Sequence, residues 1–315
     1  MRRSFQLLFW GNYNPNKIIL KKTSGLLKRM PAAERFMETE WQKRITSDQK
    51  AWPNDTKPSR YHFGGLKKSS KTLWLLADPS ISYRDTLGSR PDEFRKLFPK
   101  RCSPIPITVT LALTAKNNRG EEMLCLTLRN ATQDAHAGGF HITTGGAMEI
   151  QKDRQPLNAA LRETKEEIGL KPREITELRC RAITYDPYLS EICVIFTAAA
   201  KITAEKIQSR AHDNENRTLF ISATKNNLEY LLLHLTFANN PAGILGLLAI
   251  GNDRYGLAWA KNIMKIILKK GIDYKNARQR AELERKDIKK LHKFLIPFIA
   301  NKRTGFNFVK NRSIL

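Results

Sequence analysis

The chain has 315 residues, 41% hydrophobic and 27% charged, enough apolar material for a sizeable core and too much for global disorder. Lys and Arg number 55 against 30 Asp and Glu, a formal charge of +25, so the expected partners are polyanions: nucleic acid, phosphorylated small molecules or an anionic surface. No apolar run reaches the ~18 residues a membrane span needs. The four cysteines, Cys102, Cys125, Cys180 and Cys193, have neither CxxC nor zinc-finger spacing and read as reduced thiols.

The charge is concentrated at the ends. Residues 1–70 hold 15 basic and 5 acidic side chains, and residues 261–315 hold 16 and 4. The near-neutral middle is therefore the expected seat of chemistry, with basic ends that are either solvated surface or a grip on RNA or another polyanion. The opening MRRSFQLLFWGNY has too short an apolar stretch, and no small-residue cleavage site, for a secretory signal. Seven Lys or Arg and no acid precede Glu34, as in mitochondrial-type presequences, but Pro15 and three nearby Asn spoil a helix there. A cytoplasmic location is expected.

In chain order, residues 1–70 mix loops with short helical stretches. The best of these runs from Ala32 to Lys50, on the spacing of Phe36, Trp41 and Ile45. KTLWLLA, 71–77, reads as a buried strand stopped by Asp78-Pro79. A short helix fits between Pro91 and Pro99, and Ser103 to Pro106 marks a junction. Ile105 to Thr114 and Glu122 to Arg129 form a hairpin around Asn117 to Gly120. Phe140 to Thr144 is a strand ending in Gly145-Gly146, and Leu157 to Ile168 is a helix. Strands Arg179 to Tyr185 and Glu191 to Ala199 flank Asp186-Pro187-Tyr188. Thr218 to Ser222 is a strand and Lys225 to Leu235 a helix. After Pro241 the chain reads helical to Lys270, and a basic helix is expected from Tyr274 to Ile299. The interleaving predicts an α/β sandwich. Three regions follow: an N-terminal α+β extension (1–103), the α/β domain (104–250) and a basic helical segment (251–315).

The chemistry is concentrated in GGAMEIQKDRQPLNAALRETKEEIGL, Gly145 to Leu170. Asp153 or a neighbour can cap the helix, Pro156 suits its first turn and Gly169 its end. Leu157, Ala160, Leu161, Thr164 and Ile168 form a stripe for packing. Glu163, Glu166 and Glu167, at i, i+3 and i+4, project to one side. Three carboxylates on one turn repel, and a hard cation such as Mg2+ or Mn2+ relieves that cost. Arg162 can orient one of them. An ordinary solvated acidic face is the competing reading.

With its glycine pair ahead, this string resembles the Nudix box, G-x5-E-x7-R-E-U-x-E-E-x-G-U. Arg162, Glu163, Glu166, Glu167, Gly169 and Leu170 match it. Thr164 stands at an aliphatic position, Arg154 where the pattern has Glu, and Met148 where it has Gly; Asp153 or Glu149 are candidates for the missing carboxylate. The resemblance implies a Nudix-type α/β/α sandwich with a mixed sheet over roughly residues 104 to 250. It implies a metal-dependent pyrophosphohydrolase of nucleoside diphosphates linked to another moiety. Glu163, Glu166 and Glu167 would hold Mg2+, with the carbonyl of Gly145 or Gly146 close by. The general base would be Glu163, or Glu191 at the start of a later strand; Asp213 and Glu215 are weaker candidates.

Ser82-Tyr83-Arg84-Asp85-Thr86-Leu87-Gly88, after Asp78-Pro79, is similar to an element of the Nudix subgroup that cleaves UDP-glucose and UDP-galactose, and Ser190-Glu191 matches a second in part. That implies a nucleotide sugar as substrate, Arg84 on a phosphate and Tyr83 against a base or sugar. The alternative is a structural turn with Arg84 and Asp85 paired. His136 and His141 beside Gly138-Gly139 read as incidental, and Trp259 as core. Phe294, Phe298, Phe306 and Phe308 among lysines read as a docked helix before a nucleic-acid surface. Two rivals to nucleotide-sugar hydrolysis stand: a weakened binding module holding RNA by its basic ends, and a hydrolase of RNA caps or dinucleotides.

Overall fold

The computed structural model describes residues 5–47, 56–129, 140–187, 189–210, 216–234 and 241–270. The N-terminal region contributes β1 (Gln6–Tyr13), β2 (Ile18–Lys22), α1 (Pro31–Ser47), β3 (Arg60–Lys68), β4 (Leu73–Ile81), α2 (Tyr83–Gly88) and α3 (Asp92–Leu97). The remainder forms β5 (Ile107–Lys116), β6 (Glu122–Arg129), β7 (Phe140–Ile142), β8 (Thr144–Ala147), α4 (Pro156–Ile168), β9 (Ile175–Asp186), β10 (Glu191–Ala200), α5 (Ala204–Arg210), β11 (Asn216–Ser222), α6 (Lys225–His234) and α7 (Pro241–Lys270). The last helix is broken at Gly256, whose φ is 82°.

The main sheet runs β1-β9-β10-β5-β6-β11, with β7 on β6 and β8 on β5. It is mixed: β10 and β5 are parallel and their other pairings antiparallel. Successive side chains of a strand face opposite ways, and the two cores follow that rule. Ala112, Leu124, Leu126, Cys193 and Ile195 pack with α6 and α7. Ile107, Val109, Leu111, Cys125, Val194 and Phe196 pack on the other side with Ala159, Ala160 and Ile168 of α4 and Ile207 of α5. The expected α/β/α sandwich with a mixed sheet is thus observed.

Two strands depart from the sequence reading. β1 pairs antiparallel with β9 from Gln6 opposite Tyr185 to Tyr13 opposite Cys180, so part of the 1–103 extension completes the sheet of the 104–250 domain. α7 likewise crosses the expected 250/251 boundary. β4 does not stop at Asp78-Pro79 but runs to Ile81. Pro79 is tolerated because β2 pairs only as far as Ala77, and the pairing with β3 shifts register between His62 and Arg60. A second sheet, β2-β4-β3, packs its inner face, with Ile18, Leu20, Leu73, Leu75 and Ala77, into the core on the α4 side. α1 and α3 enclose a small separate core of Ala33, Met37, Phe94 and Cys102. The 271–315 segment, with the expected Tyr274–Ile299 helix and its phenylalanines, lies outside the described residues, as do His136, Asp213 and Glu215.

Candidate active site around helix α4

α4 begins with a different cap from the one expected. The Gln155 N–H donates to Asn158 Oδ1 at 3.0 Å, and Gln155 Oε1 accepts the Leu20 N–H at 2.7 Å, tying the helix start to β2. Asp153 is engaged elsewhere. The Arg162 guanidinium grips it as a fork, Nε to Oδ1 at 3.1 Å and Nη2 to Oδ2 at 2.8 Å, and the Glu149 N–H donates to the same carboxylate at 2.8 Å. Asp153 is 1% exposed, so this is a buried charge-assisted pair with its remaining valence satisfied. At the other end, Gly169 takes φ 66° and its N–H returns to the Lys165 carbonyl, the left-handed stop that glycine adopts most readily.

The same guanidinium organises the acidic face. Arg162 Nη1 donates to Glu163 Oε1 at 2.7 Å and to Glu166 Oε2 at 3.0 Å, and its Nη2 also donates to the Ala147 carbonyl at 3.1 Å. Carboxylates from successive turns therefore meet at one nitrogen, with the β8 backbone alongside. Burial would lower the Arg162 pKa, but the Asp153 hydrogen bond and the Glu163 charge outweigh it, and the net shift is upward. Glu163 moves the other way for a carboxylate: burial raises its pKa to about 7, helped by Glu166 and Asp153 and resisted by Arg162.

β8 explains the glycines. Gly145 pairs with Thr110 and Gly146 with Val109 on β5. A side chain at Gly146 would fall on the Glu163 carboxylate, so glycine here leaves that carboxylate its place. Thr164, where the box has an aliphatic residue, is buried and placed 3.0 Å from the Thr144 hydroxyl, while donating to the Ala160 carbonyl at 2.6 Å. The polar substitution is satisfied by a threonine pair that fastens α4 to β8. Arg154, at the expected glutamate position, is exposed. Glu149 lies 3.6 Å from Arg162 Nη1 and 3.0 Å from Lys152. Both proposed substitutes for the missing carboxylate thus belong to the Arg162 cluster.

The structure brings together Arg162, Glu163, Glu166 and Gly146, with Gly145 adjacent on β8. Glu167 is half-buried; its charge lies near Cys125, whose thiol burial pushes upward. Among the described residues, no three His, Cys, Asp or Glu side chains stand close enough together to hold a metal ion. In ligand chemistry the carboxylates suit a hard divalent cation. In position, Glu163 and Glu166 share one cationic partner, and that partner is Arg162.

Other expected site residues lie apart. Glu191 is three residues along and two strands across from Gly146, roughly 14 Å by ordinary strand spacing. Alternation along β10 puts it on the Cys193 side, facing the α6/α7 layer rather than α4. Its charge acts on the Cys193 thiol, which burial foremost pushes up to about 12. Glu191 thus lies at the start of β10, apart from the Arg162 cluster.

Arg84 is held at 3.0 Å by Glu34 and by Glu38 and at 2.8 Å by Asp85, and Asp85 forms a reciprocal cap with Ser82. The Tyr83 ring lies between the Arg60 guanidinium, 4.3 Å away, and an edge contact with Trp41. This is the paired, structural arrangement of that segment. His141 is buried with its ring nitrogen 2.7 Å from the Ile142 carbonyl, and Trp259 packs in the core with Nε1 donating to Glu229 at 2.8 Å.

The residue the sequence reading undervalued is Asp153. Its signal was its place nine residues before Arg162, across the helix start, which only the folded turn converts into contact.

Residues 106–231 match the family model described as NUDIX domain, a span from the start of β5 into α6. No curated protein matches the chain. Among solved structures, a Nudix hydrolase from M. Smegmatis, RenU, is 16% identical, covering 48% of this chain and 86% of its own, with a TM-score of 0.32. A NUDIX hydrolase from Alicyclobacillus acidocaldarius is 17% identical over 40% and 82%, with a TM-score of 0.32. NrtR from Shewanella oneidensis is 16% identical over 56% and 85%, at 0.34. Over residues 106–231 the chain therefore carries a NUDIX domain.

Proposed function

We propose that the chain hydrolyses the diphosphate bridge of a nucleoside diphosphate linked to another moiety, with Glu163, Glu166 and Glu167 the residues that would draw together to hold Mg2+ or Mn2+. When bound, the ion supplies Lewis-acid polarisation and neutralises the dense charge of the diphosphate. The chain's own residues do the rest. Arg162, anchored by Asp153, holds Glu163 and Glu166 toward one point. Glu163 Oε1 is bound to Arg162, leaving Oε2 to take a proton, and a carboxylate with a pKa of about 7 is suited to that near neutrality. The Gly146 backbone closes the site from the β8 side.

The observation that carries this reading is the convergence of Glu163 and Glu166 on Arg162 beside Gly146. The nucleotide-sugar substrate rests on the resemblance of Tyr83 to Gly88, and the ion pairs of Arg84 speak for a structural role of that segment. The substrate class is therefore proposed as nucleoside diphosphate derivatives at large, with UDP-glucose as one member. A second reading, a module that binds nucleotides without turnover, is favoured by the absence of a three-carboxylate cluster among the described residues.

A panel of UDP-glucose, dinucleoside polyphosphates and capped RNA, each with Mg2+ and with Mn2+, separates the readings. Nucleoside monophosphate release from at least one member supports the hydrolase. Tight binding with no release from any member supports the module.

A further inference from the structure

The outer face of the β2-β4-β3 sheet presents a chemistry that the α4 site does not use. Its inner face is core, so alternation turns Ile19, Lys21, Lys67, Trp74 and Leu76 outward. The register sets these in two rows across the sheet. Ile19 pairs with Trp74 and Trp74 with Lys67; Lys21 pairs with Leu76 and Leu76 with Gly65. Trp74, Ile19 and Leu76 are half-buried, and both lysines are exposed. At the end of the second row, Gly65 puts no side chain of its own beside Leu76.

The charge on this sheet has one sign. Its strands carry Lys21, Lys22, Arg60, Lys67 and Lys68 against a single acid, Asp78. Asp78 is buried and accepts the Leu26 N–H at 3.0 Å, so it does not face an outside ligand. Lys21 and Lys67 have no ion-pair partner among the described residues. Exposed Lys17 and Lys71 flank the sheet, within a 70-residue region of 15 basic and 5 acidic residues.

An aromatic ring in the middle of a strand array with unpaired cations around it suits a polymer that offers both flat bases and phosphates. We infer that this face binds single-stranded nucleic acid, with a base against Trp74 and backbone phosphates at Lys21 and Lys67. A duplex keeps its bases stacked on one another and could not use Trp74. The inference is independent of the hydrolase reading, because no α4 residue takes part.

The test is fluorescence anisotropy of the full chain with a fluorescein-labelled 12-nucleotide oligouridine across a salt series. Binding should weaken with salt. The double variant Lys21→Gln/Lys67→Gln should flatten the slope of log K against log salt by about 1.4, about 0.7 for each phosphate that is no longer neutralised. Trp74→Leu should lower affinity about tenfold and leave the slope unchanged. Lys261→Gln/Lys265→Gln, exposed on α7 across the main sheet, serves as the control and should retain more of the affinity than the Lys21/Lys67 variant.

Absence of binding, wild-type affinity in Trp74→Leu, or an equal loss from the α7 pair would overturn the assignment. So would equal affinity for a duplex or for phosphatidylserine vesicles. Should Trp74→Leu fail to fold, the exposed lysine pair still decides, since an unchanged salt slope contradicts the proposal.

Discussion

Arg162 is the residue on which the site depends. It holds Asp153, Glu163, Glu166 and the Ala147 carbonyl with one planar group, a set a lysine could not span. Asp153→Ala would strand that guanidinium without its buried partner and should cost about 3 kcal/mol in urea unfolding; an unchanged midpoint would contradict the pairing. His62 makes a second residue-level prediction. Burial pushes its pKa down to about 4, and its neutral Nδ1 accepts the Ile105 N–H at 3.0 Å. The unfolded chain takes up this proton near pH 6.5 and the folded chain only near 4. Unfolding is therefore favoured progressively as pH falls through that window, by up to ~3 kcal/mol, and the contribution is complete above 6.5. The loss of Tm from pH 7 to 4 should be shallower in His62→Asn; identical slopes would rule this out. The box acids and Arg162 were legible as residues. The Asp153 fork was not, because a contact nine residues apart across a helix start depends on how the preceding turn folds.

At the scale of elements, α4 was readable because its signals agree: Pro156 at the start, apolar spacing along one side, acids on the other and Gly169 at the end. Its partner β8 was readable only as the glycines that end a strand. What the glycines are for appears once β8 lies against α4. Gly146→Ala should push the Glu163 carboxylate aside, reducing kcat roughly 100-fold, while thermal unfolding stays close to wild type; unaltered kcat would show that Glu163 is not held by this contact. β4 was misjudged at Pro79 because a proline is tolerated where the neighbouring strand has already ended, and the end of β2 is not written in β4 itself. Glu191 illustrates the same limit. Its position at a strand start was plain, but the face it occupies is decided by register against β9 and β5.

At the scale of the whole molecule, the N-terminal strand joins the main sheet. β1 covers the β9 edge, and Phe9 within it and Phe5 just before it are buried. Deleting residues 1–13 should therefore destabilise the entire fold by several kcal/mol, since each phenylalanine contributes about 1.5–3 kcal/mol, and expose an edge prone to association. A truncated chain with wild-type Tm and monomeric behaviour would contradict that role. This strand was not legible because eight residues paired with a strand some 170 residues away leave no local trace. The alternation of β5, β6 and β10, by contrast, was strong enough to give the layered architecture directly.

The most direct test of the hydrolase reading is nucleoside monophosphate release, with Mg2+, by the full chain and by Glu166→Gln on the best substrate of the panel. Glu166 is half exposed at 52%, so the substitution should leave the fold intact by circular dichroism and Tm. The reading predicts Mg2+-dependent release by the parent chain and loss of turnover in the variant; undiminished turnover in a folded Glu166→Gln protein would contradict it.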